Sequence, residues 1–284
     1  MSNLLPRIEF GLQALVCHQR VCPFCKTRNH AVVARKHGVV RIRRCDSCCL
    51  YFTDPIYKSR LADLYETLYD AEGSTTTVPD APALRRLKAT QFGASDKNCA
   101  LQILALQRLG AGRRLLEIGS SWGYFLYQAQ AAGFAAVGVE PGRLRREYGV
   151  RELGVDIRRA IDEVSEAGFD VIYCAHTLEH ISDVSEFFAN CHQRLRPGGL
   201  LAIEVPHFDL RALGPRVLSI IGAVHPIGLS QPFFHVALPR AGFRCVGMFD
   251  EWTAVPSSPV SSVREGNLLV IAEKIARADG LPPQ

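Results

Sequence analysis

The chain of 284 residues lacks a continuous apolar run long enough to cross a bilayer. Its longest uncharged run lies between Arg216 and Arg240, and Gly222, His225, Pro226, Gly228, Pro232 and His235 break it. A spanning helix wants about 20 continuous apolar residues, so no membrane span is expected and the run reads as a lid-like segment. Met1 to Arg20 has no apolar core ahead of a small-residue cleavage site. No leader peptide is expected, and the location implied is cytoplasmic. Charge of one sign is also scarce: 33 Lys and Arg against 28 Asp and Glu leave a net charge of +5. That balance does not by itself require a polyanionic partner. Arginines cluster at 41–44, 143–151 and 158–159, as solvated faces or as a grip on a nucleic acid or a phosphorylated substrate. With 48% apolar and 21% charged residues, the chain reads as soluble and globular, with length for one large domain or two smaller ones.

What the chain does have is cysteine, unevenly placed. Six of its ten cysteines fall between Cys17 and Cys49. Disulfides are not expected without a leader. Cys22-Pro23-Phe24-Cys25 and Cys45-Asp46-Ser47-Cys48 form two Cys-x-x-Cys knuckles separated by 19 residues. That spacing predicts a structural zinc ribbon with Cys22, Cys25, Cys45 and Cys48 as ligands. Ala31–Ala34 and Val39–Ile42 supply its short strands. Four thiolates leave no open position on the metal, so the module is structural rather than catalytic.

Beyond it, Leu61 to Tyr69 has helical spacing, 71–82 reads as a loop, and 84–109 as helical, with Asp96 a candidate N-cap. The expected division is a zinc module over 1–58, a helical linker or lid over 59–110, and a third region over 111–284. Within the last, strands at 114–118, 135–140, 155–159, 169–174 and 200–205 alternate with helices at 123–132, about 143–152, 162–166 and 183–195. Such alternation predicts a parallel sheet covered by helices on both faces. An insert over 206–240 and two closing strands, at 243–249 and from Asn267 to Ala272, follow.

The centre of this region is Leu115-Leu116-Glu117-Ile118-Gly119-Ser120-Ser121-Trp122-Gly123-Tyr124-Phe125: a strand, a glycine-bounded turn and a helix start. Such a unit brings backbone N–H groups up to a ligand. The next strand ends in Glu140-Pro141, where a carboxylate holds a ribose in α/β nucleotide sites. Together with Phe169-Asp170-Val171-Ile172, Leu178-Glu179-His180 and Leu195-Arg196-Pro197-Gly198-Gly199, the series over 113–274 resembles class I S-adenosylmethionine-dependent methyltransferases. The resemblance implies an α/β fold with a Rossmann-like, seven-stranded, mostly parallel sheet. It implies S-adenosylmethionine as cofactor, held by Glu117, Gly119, Ser120, Ser121, Gly123, Tyr124, Glu140, Pro141, Ala160, Ile161 and Cys174. Ser121 stands where the family's middle glycine would be. Ser120 or Ser121 is expected to cap the following helix. The Cys-rich start resembles a bacterial subgroup with a zinc-binding N-terminus, many of whose members act on sugars or secondary metabolites.

In an open α/β sheet the ligand sits beyond the carboxyl ends of the strands. His176, Glu179 and His180 after the fourth strand, and His207 after the fifth, therefore form the catalytic candidates. They read as a proton acceptor for a hydroxyl, as ligands of a divalent metal that orients a diol, or as a helix start that only holds the loop. The resemblance places the acceptor wall at His225, Gln231 to His235, Tyr65 and Tyr69. The function expected is O-methylation of a small-molecule acceptor, a sugar or metabolite. The alternative is an RNA methyltransferase that grips RNA with the zinc module and Arg41, Arg43 and Arg44; a non-catalytic scaffold that has lost the cofactor is a third class. The Asn/Asp-Pro-Pro-aromatic signature of amino-nitrogen transfer is absent.

Overall fold

Alternate residues of a strand face opposite sides of a sheet, and in the central strands of this chain both sets are apolar. A strand of that kind is stable only with a layer on each side. The computed structural model, which describes residues 18–56, 77–110, 112–260 and 265–275, has that arrangement. Its larger sheet is formed by β4 (Arg114–Ile118), β5 (Ala135–Val139), β6 (Asp156–Arg158), β7 (Phe169–Ala175), β8 (Leu195–Pro206), β10 (Phe243–Phe249) and β11 (Asn267–Lys274). The strand order is β10-β11-β8-β7-β4-β5-β6. β4 pairs parallel with β5 and β7, and β7 parallel with β8. β11 is inserted antiparallel between β8 and β10.

The two faces feed two cores. Leu115, Val171, Tyr173, Leu269 and Ile271 pack with Phe125, Leu126 and Ala129 of α3 (Tyr124–Ala131) and with Ile103 and Leu106 of α2 (Ala100–Arg108). Leu116, Ile172, Cys174, Ile203 and Val270 pack with Phe187, Phe188 and Cys191 of α5 (Val184–Arg194) and with Phe233, Phe234 and Ala237 of α7 (Gln231–Arg240). The helical stretch expected over 84–109 is two helices, α1 (Ala81–Ala89) and α2. Asp80 caps the first by accepting from the Ala83 N–H at 2.7 Å. Asp96 caps neither; it pairs with the neighbouring Lys97, and Asn98 accepts from the Ala100 N–H instead. Short α4 (Arg143–Tyr148) continues into a wider turn, Gly149–Leu153. The expected helix at Leu61–Tyr69, with Tyr65 and Tyr69, lies outside the described residues, as does Cys17.

The N-terminal strands β1 (His30–Lys36), β2 (Val40–Cys45) and β3 (Tyr51–Asp54) form an antiparallel sheet, and β9 (Ile227–Gly228) of the insert adds its last strand. The Cys-rich module therefore sits on the large sheet's layer. Phe24 contacts Phe188 and Phe233 edge-to-face, with ring centroids 5.7 and 5.4 Å apart. Lys26 pairs at 2.8 Å with Asp183, which also accepts from the Glu186 N–H at the start of α5. Asp54, fully buried, accepts from Arg41 Nε at 2.8 Å, Arg43 Nε at 2.7 Å and the Gln19 N–H at 2.5 Å. Two of the three arginines of that cluster are thus spent inside the module.

Burial alone would raise the Asp54 pKa, but Arg41, the Gln19 N–H and Arg43 outweigh it and hold the carboxyl below its usual value. A depressed folded-state pKa contributes stability above the unfolded value, near 3.8, that is lost as pH falls through the folded one. Asp54→Asn, which leaves two half-buried guanidinium groups facing a neutral amide, is expected to cost on the order of 3 kcal/mol at neutral pH. In urea titrations the gap to wild type should close as the pH drops below about 4.

Candidate functional site

The site grows from the tip of β4. Glu117 lies in the strand, and the chain then turns through Gly119 (φ 85°), Ser121 (φ 49°) and Gly123 (φ 80°) into α3. Gly119 is required on two counts: its φ is left-handed, and a Cβ there would meet Thr177 Oγ1 at 1.9 Å. The turn of β4 is therefore pressed against the segment after β7. Ser121 adopts the left-handed backbone that glycine would take, at a cost of about 1–2 kcal/mol for an L-residue. Neither serine caps α3: the N-cap is Gly123, without a side-chain cap.

Glu140, at the end of β5 and 4% exposed, ties this turn down. Its Oε2 accepts from the Ser121 N–H at 3.0 Å, and its Oε1 from the Gly142 N–H at 2.8 Å. Arg145 Nε and Nη2 donate to the same Oε1 at 3.2 and 3.0 Å. Arg145 is itself buried. The arginine run at 143–151 is thus not a uniform solvated face. Its one pointer to this role was position, five residues beyond Glu140. Oε2 keeps the greater spare acceptor capacity of the two oxygens. Glu117 is buried, its Oε2 has no hydrogen-bond partner, and burial together with the nearby Glu140 pushes its pKa well above the usual range. A buried carboxyl in that state fits an incoming cation such as an ammonium group. Ser120 Oγ and Ser121 Oγ are likewise buried without partners. These orphaned polar atoms fit the polar methionine end of S-adenosylmethionine.

The other expected cofactor residues are placed unevenly. Tyr124 opens α3 with Lys97 over its ring at 5.6 Å. Pro141 is exposed at the end of β5; Ala160 and Ile161 sit half-buried at the turn after β6. Cys174 is fully buried in the core, so its side chain is packing, and burial raises its pKa. A cavity of about 380 Å³ lies beside the turn, lined by Trp122 together with Arg86, Leu87, Asp96 and Lys97.

Across from Glu140, the end of β7 carries the histidines. His176 (φ 48°) has Nδ1 3.8 Å from Glu179 Oε1 and Nε2 3.6 Å from Glu204 Oε1. Burial opposes its charge, but Glu179 and Glu204 overcome that and lift its pKa to about 10. Glu204 also accepts from Trp252 Nε1 and from Asn267 Nδ2, both at 2.7 Å. His180 differs: burial lowers its pKa to about 4, and Nδ1 bonds the Val224 carbonyl at 2.8 Å. The His225 ring from the insert lies 4.5 Å from it. The structure so brings together His176, Glu179 and His180, and adds Glu204, Trp252, Asn267 and His225. His207 is buried at the end of β8; its N–H donates to the Gly266 carbonyl at 2.8 Å and it bridges Leu229. Trp252 and Asn267 lie on segments remote in sequence, and no local pattern pointed to them.

The four module cysteines converge, their sulfurs within 4.8 Å of one another. Cys22 and Cys48 sulfurs are 3.5 Å apart, as are Cys25 and Cys45. Crowding couples the thiols: Cys22 and Cys48 draw the pKa of Cys45 down, while Cys45 pushes that of Cys22 up. Holding all four as thiolates needs a cation, and the soft sulfur set fits a metal.

A family model described as "Methyltransferase domain" matches residues 94–246. Over 120 residues the chain is 32% identical to a ubiquinone biosynthesis O-methyltransferase of Mesorhizobium japonicum, covering 39% of this chain and 47% of that protein. Over 186 residues it is 25% identical to a protein of the same name from a Bradyrhizobium species, covering 60% of this chain and 68% of the other. The chain thus spans about half the length of the first of these relatives. A solved S-adenosylmethionine-dependent methyltransferase from Clostridium acetobutylicum superposes with a TM-score of 0.51 at 11% identity, covering 68% of this chain and 98% of that one. At that identity the likeness concerns the fold. Among the described residues no helix is long and apolar enough to cross a membrane.

Two expectations follow from the site. Ser121→Gly removes left-handed strain and a buried, unpartnered hydroxyl. It should raise stability by about 1 kcal/mol in thermal melts and, because the lost hydroxyl is one of the orphaned groups that fit the cofactor, weaken cofactor binding severalfold by calorimetry, about 1 kcal/mol for one hydrogen bond. Cys25→Ser should lose bound metal and folded structure together, read by elemental analysis and circular dichroism on the same sample.

Proposed function

We propose, for a chain that belongs to the family described as "Methyltransferase domain", that this S-adenosylmethionine-dependent methyltransferase transfers its methyl group to an oxygen of a small-molecule acceptor. The observation that carries the reading is the Glu140 tie: a buried carboxylate that fixes the Gly119–Gly123 turn and keeps capacity on Oε2 for a ribose hydroxyl. Glu117 is the group that would take the cofactor's ammonium. Gly119 and Ser121 let the backbone come close. Ala160 and Ile161 would face the adenine. The cofactor supplies a methyl carried on sulfonium, so that the S–CH3 bond breaks as an O–CH3 bond forms and the acceptor hydroxyl gives up its proton. The chain's task is to align the two partners and to receive charge and proton.

His176 does not suit the role of proton acceptor. With its pKa near 10 it is already protonated at neutral pH, and it serves to hold Glu179 and Glu204 at the acceptor side. The module's four cysteines hold a structural zinc, which fixes β1–β3 and, through β9, the insert. A small acceptor is favoured over RNA because Arg41 and Arg43 are committed to Asp54. The names of the relatives, which speak of O-methylation in ubiquinone biosynthesis, agree with oxygen as acceptor atom. Sugars and secondary metabolites are the acceptor classes to test.

The test joins calorimetry and turnover. Wild type is expected to bind S-adenosylmethionine, and Glu140→Ala to bind it at least about tenfold more weakly, a loss of about 1.4 kcal/mol. Labelled methyl should pass to hydroxylated small molecules. Absence of binding at millimolar cofactor would sink the reading; transfer to RNA with steep salt dependence would replace the acceptor class.

A further inference from the structure

Glu179 and His180 form a short turn directly after β7, and His225 comes from the insert 45 residues later in the chain. One donor atom of each lies within 4.8 Å of the others. Both histidines are oriented the same way. His180 Nδ1 bonds the Val224 carbonyl at 2.8 Å, and His225 Nδ1 bonds the Ile220 carbonyl at 3.0 Å. A carbonyl only accepts, so Nδ1 carries the hydrogen in each ring and Nε2 the lone pair. Metal-bound histidines are held by such backbone carbonyls. His180 Nε2 lies 4.0 Å from Glu179 Oε1. Glu179 is 2% exposed, and its Oε2 has no hydrogen-bond partner. The protonated His176 lies 3.8 Å from Oε1, but it leaves the buried Oε2 unpartnered, which is costly unless a further cation joins the group.

We propose that Glu179, His180 and His225 bind one divalent transition-metal cation of the zinc, cobalt or iron(II) kind, a second metal site separate from the four cysteines. Two imidazole nitrogens and one carboxylate suit those ions, whereas magnesium and calcium prefer oxygen donors. His225 takes the place that sequence reading gave to His176 and His207. Three protein ligands leave coordination positions open. Resting on the function proposed above, an oxygen of the acceptor would occupy one, in contrast to the closed cysteine site.

Cobalt(II) added to the full chain loaded with a single equivalent of zinc, enough for the four cysteines alone, tests this without the methyl donor. One equivalent is expected to bind with ligand-field absorption and no sulfur-to-cobalt charge-transfer band. His225→Ala and Glu179→Gln should weaken that binding by at least about 100-fold, beyond the loss of an outer hydrogen-bond partner, with thermal melts confirming that they fold. Absence of the ligand-field signal in wild type, or an unchanged signal in a folded His225→Ala, overturns the site. Should both variants misfold, X-ray absorption on cobalt-loaded wild type decides: imidazole and oxygen neighbours support the site, and a sulfur-only shell overturns it. Because cobalt binding is read apart from methyl transfer, failure of either assay leaves the other interpretable.

Discussion

The Glu140 carboxylate is the interaction on which the turn after β4 and the start of α4 depend. A buried carboxylate is costly unless its oxygens are hydrogen-bonded. Here the partners are two backbone N–H groups from different segments and the buried Arg145 guanidinium. Each partner fixes something. Ser121 N–H fixes the turn after β4; Gly142 N–H fixes the entry to α4; Arg145 fixes α4 itself. Three elements are thereby locked to the tip of β5, at the carboxyl ends of the parallel strands, where open α/β sheets place their ligands.

A second constraint acts from below. The Cys-rich module is too small for a large core of its own, and it uses the methyltransferase layer instead. Phe24 packs edge-to-face on Phe188 and Phe233, and β9 from the insert completes the small sheet. The second half of the insert is therefore held twice, by β3 through β9 and by the core through α7. This is how His225 comes to face His180. Packing of the Cys-rich module thus sets where the insert carries His225.

Charge at the end of β7 is divided by environment. His176 lies between two carboxylates and is held protonated. His180, three residues beyond Thr177, is buried and kept neutral. The same residue type so plays two roles within one turn, a difference that spacing alone does not encode.

Local pattern determined much of this protein. The strand–helix alternation gave the parallel sheet because both faces of each central strand are apolar. The strand–turn–helix unit with Gly119 and Gly123 was legible because a tight turn between strand and helix admits few residue types. The meeting of the two cysteine knuckles was legible from their spacing, which suits four ligands of one metal. Other features were decided only when the chain folded. The split of 84–109 into two helices comes where Gln91, Phe92 and Ala94 take left-handed backbone after α1. Arg145, Arg41 and Arg43 read as surface charge, but each met a buried carboxylate whose desolvation demanded a partner. Cys174 reads as a site residue, yet the strand's alternation turned its side chain into the core. His225, Trp252 and Asn267 reach the site from distant segments. Sequence periodicity reports the face a residue presents within its own element, whereas their roles depend on which distant element packs opposite.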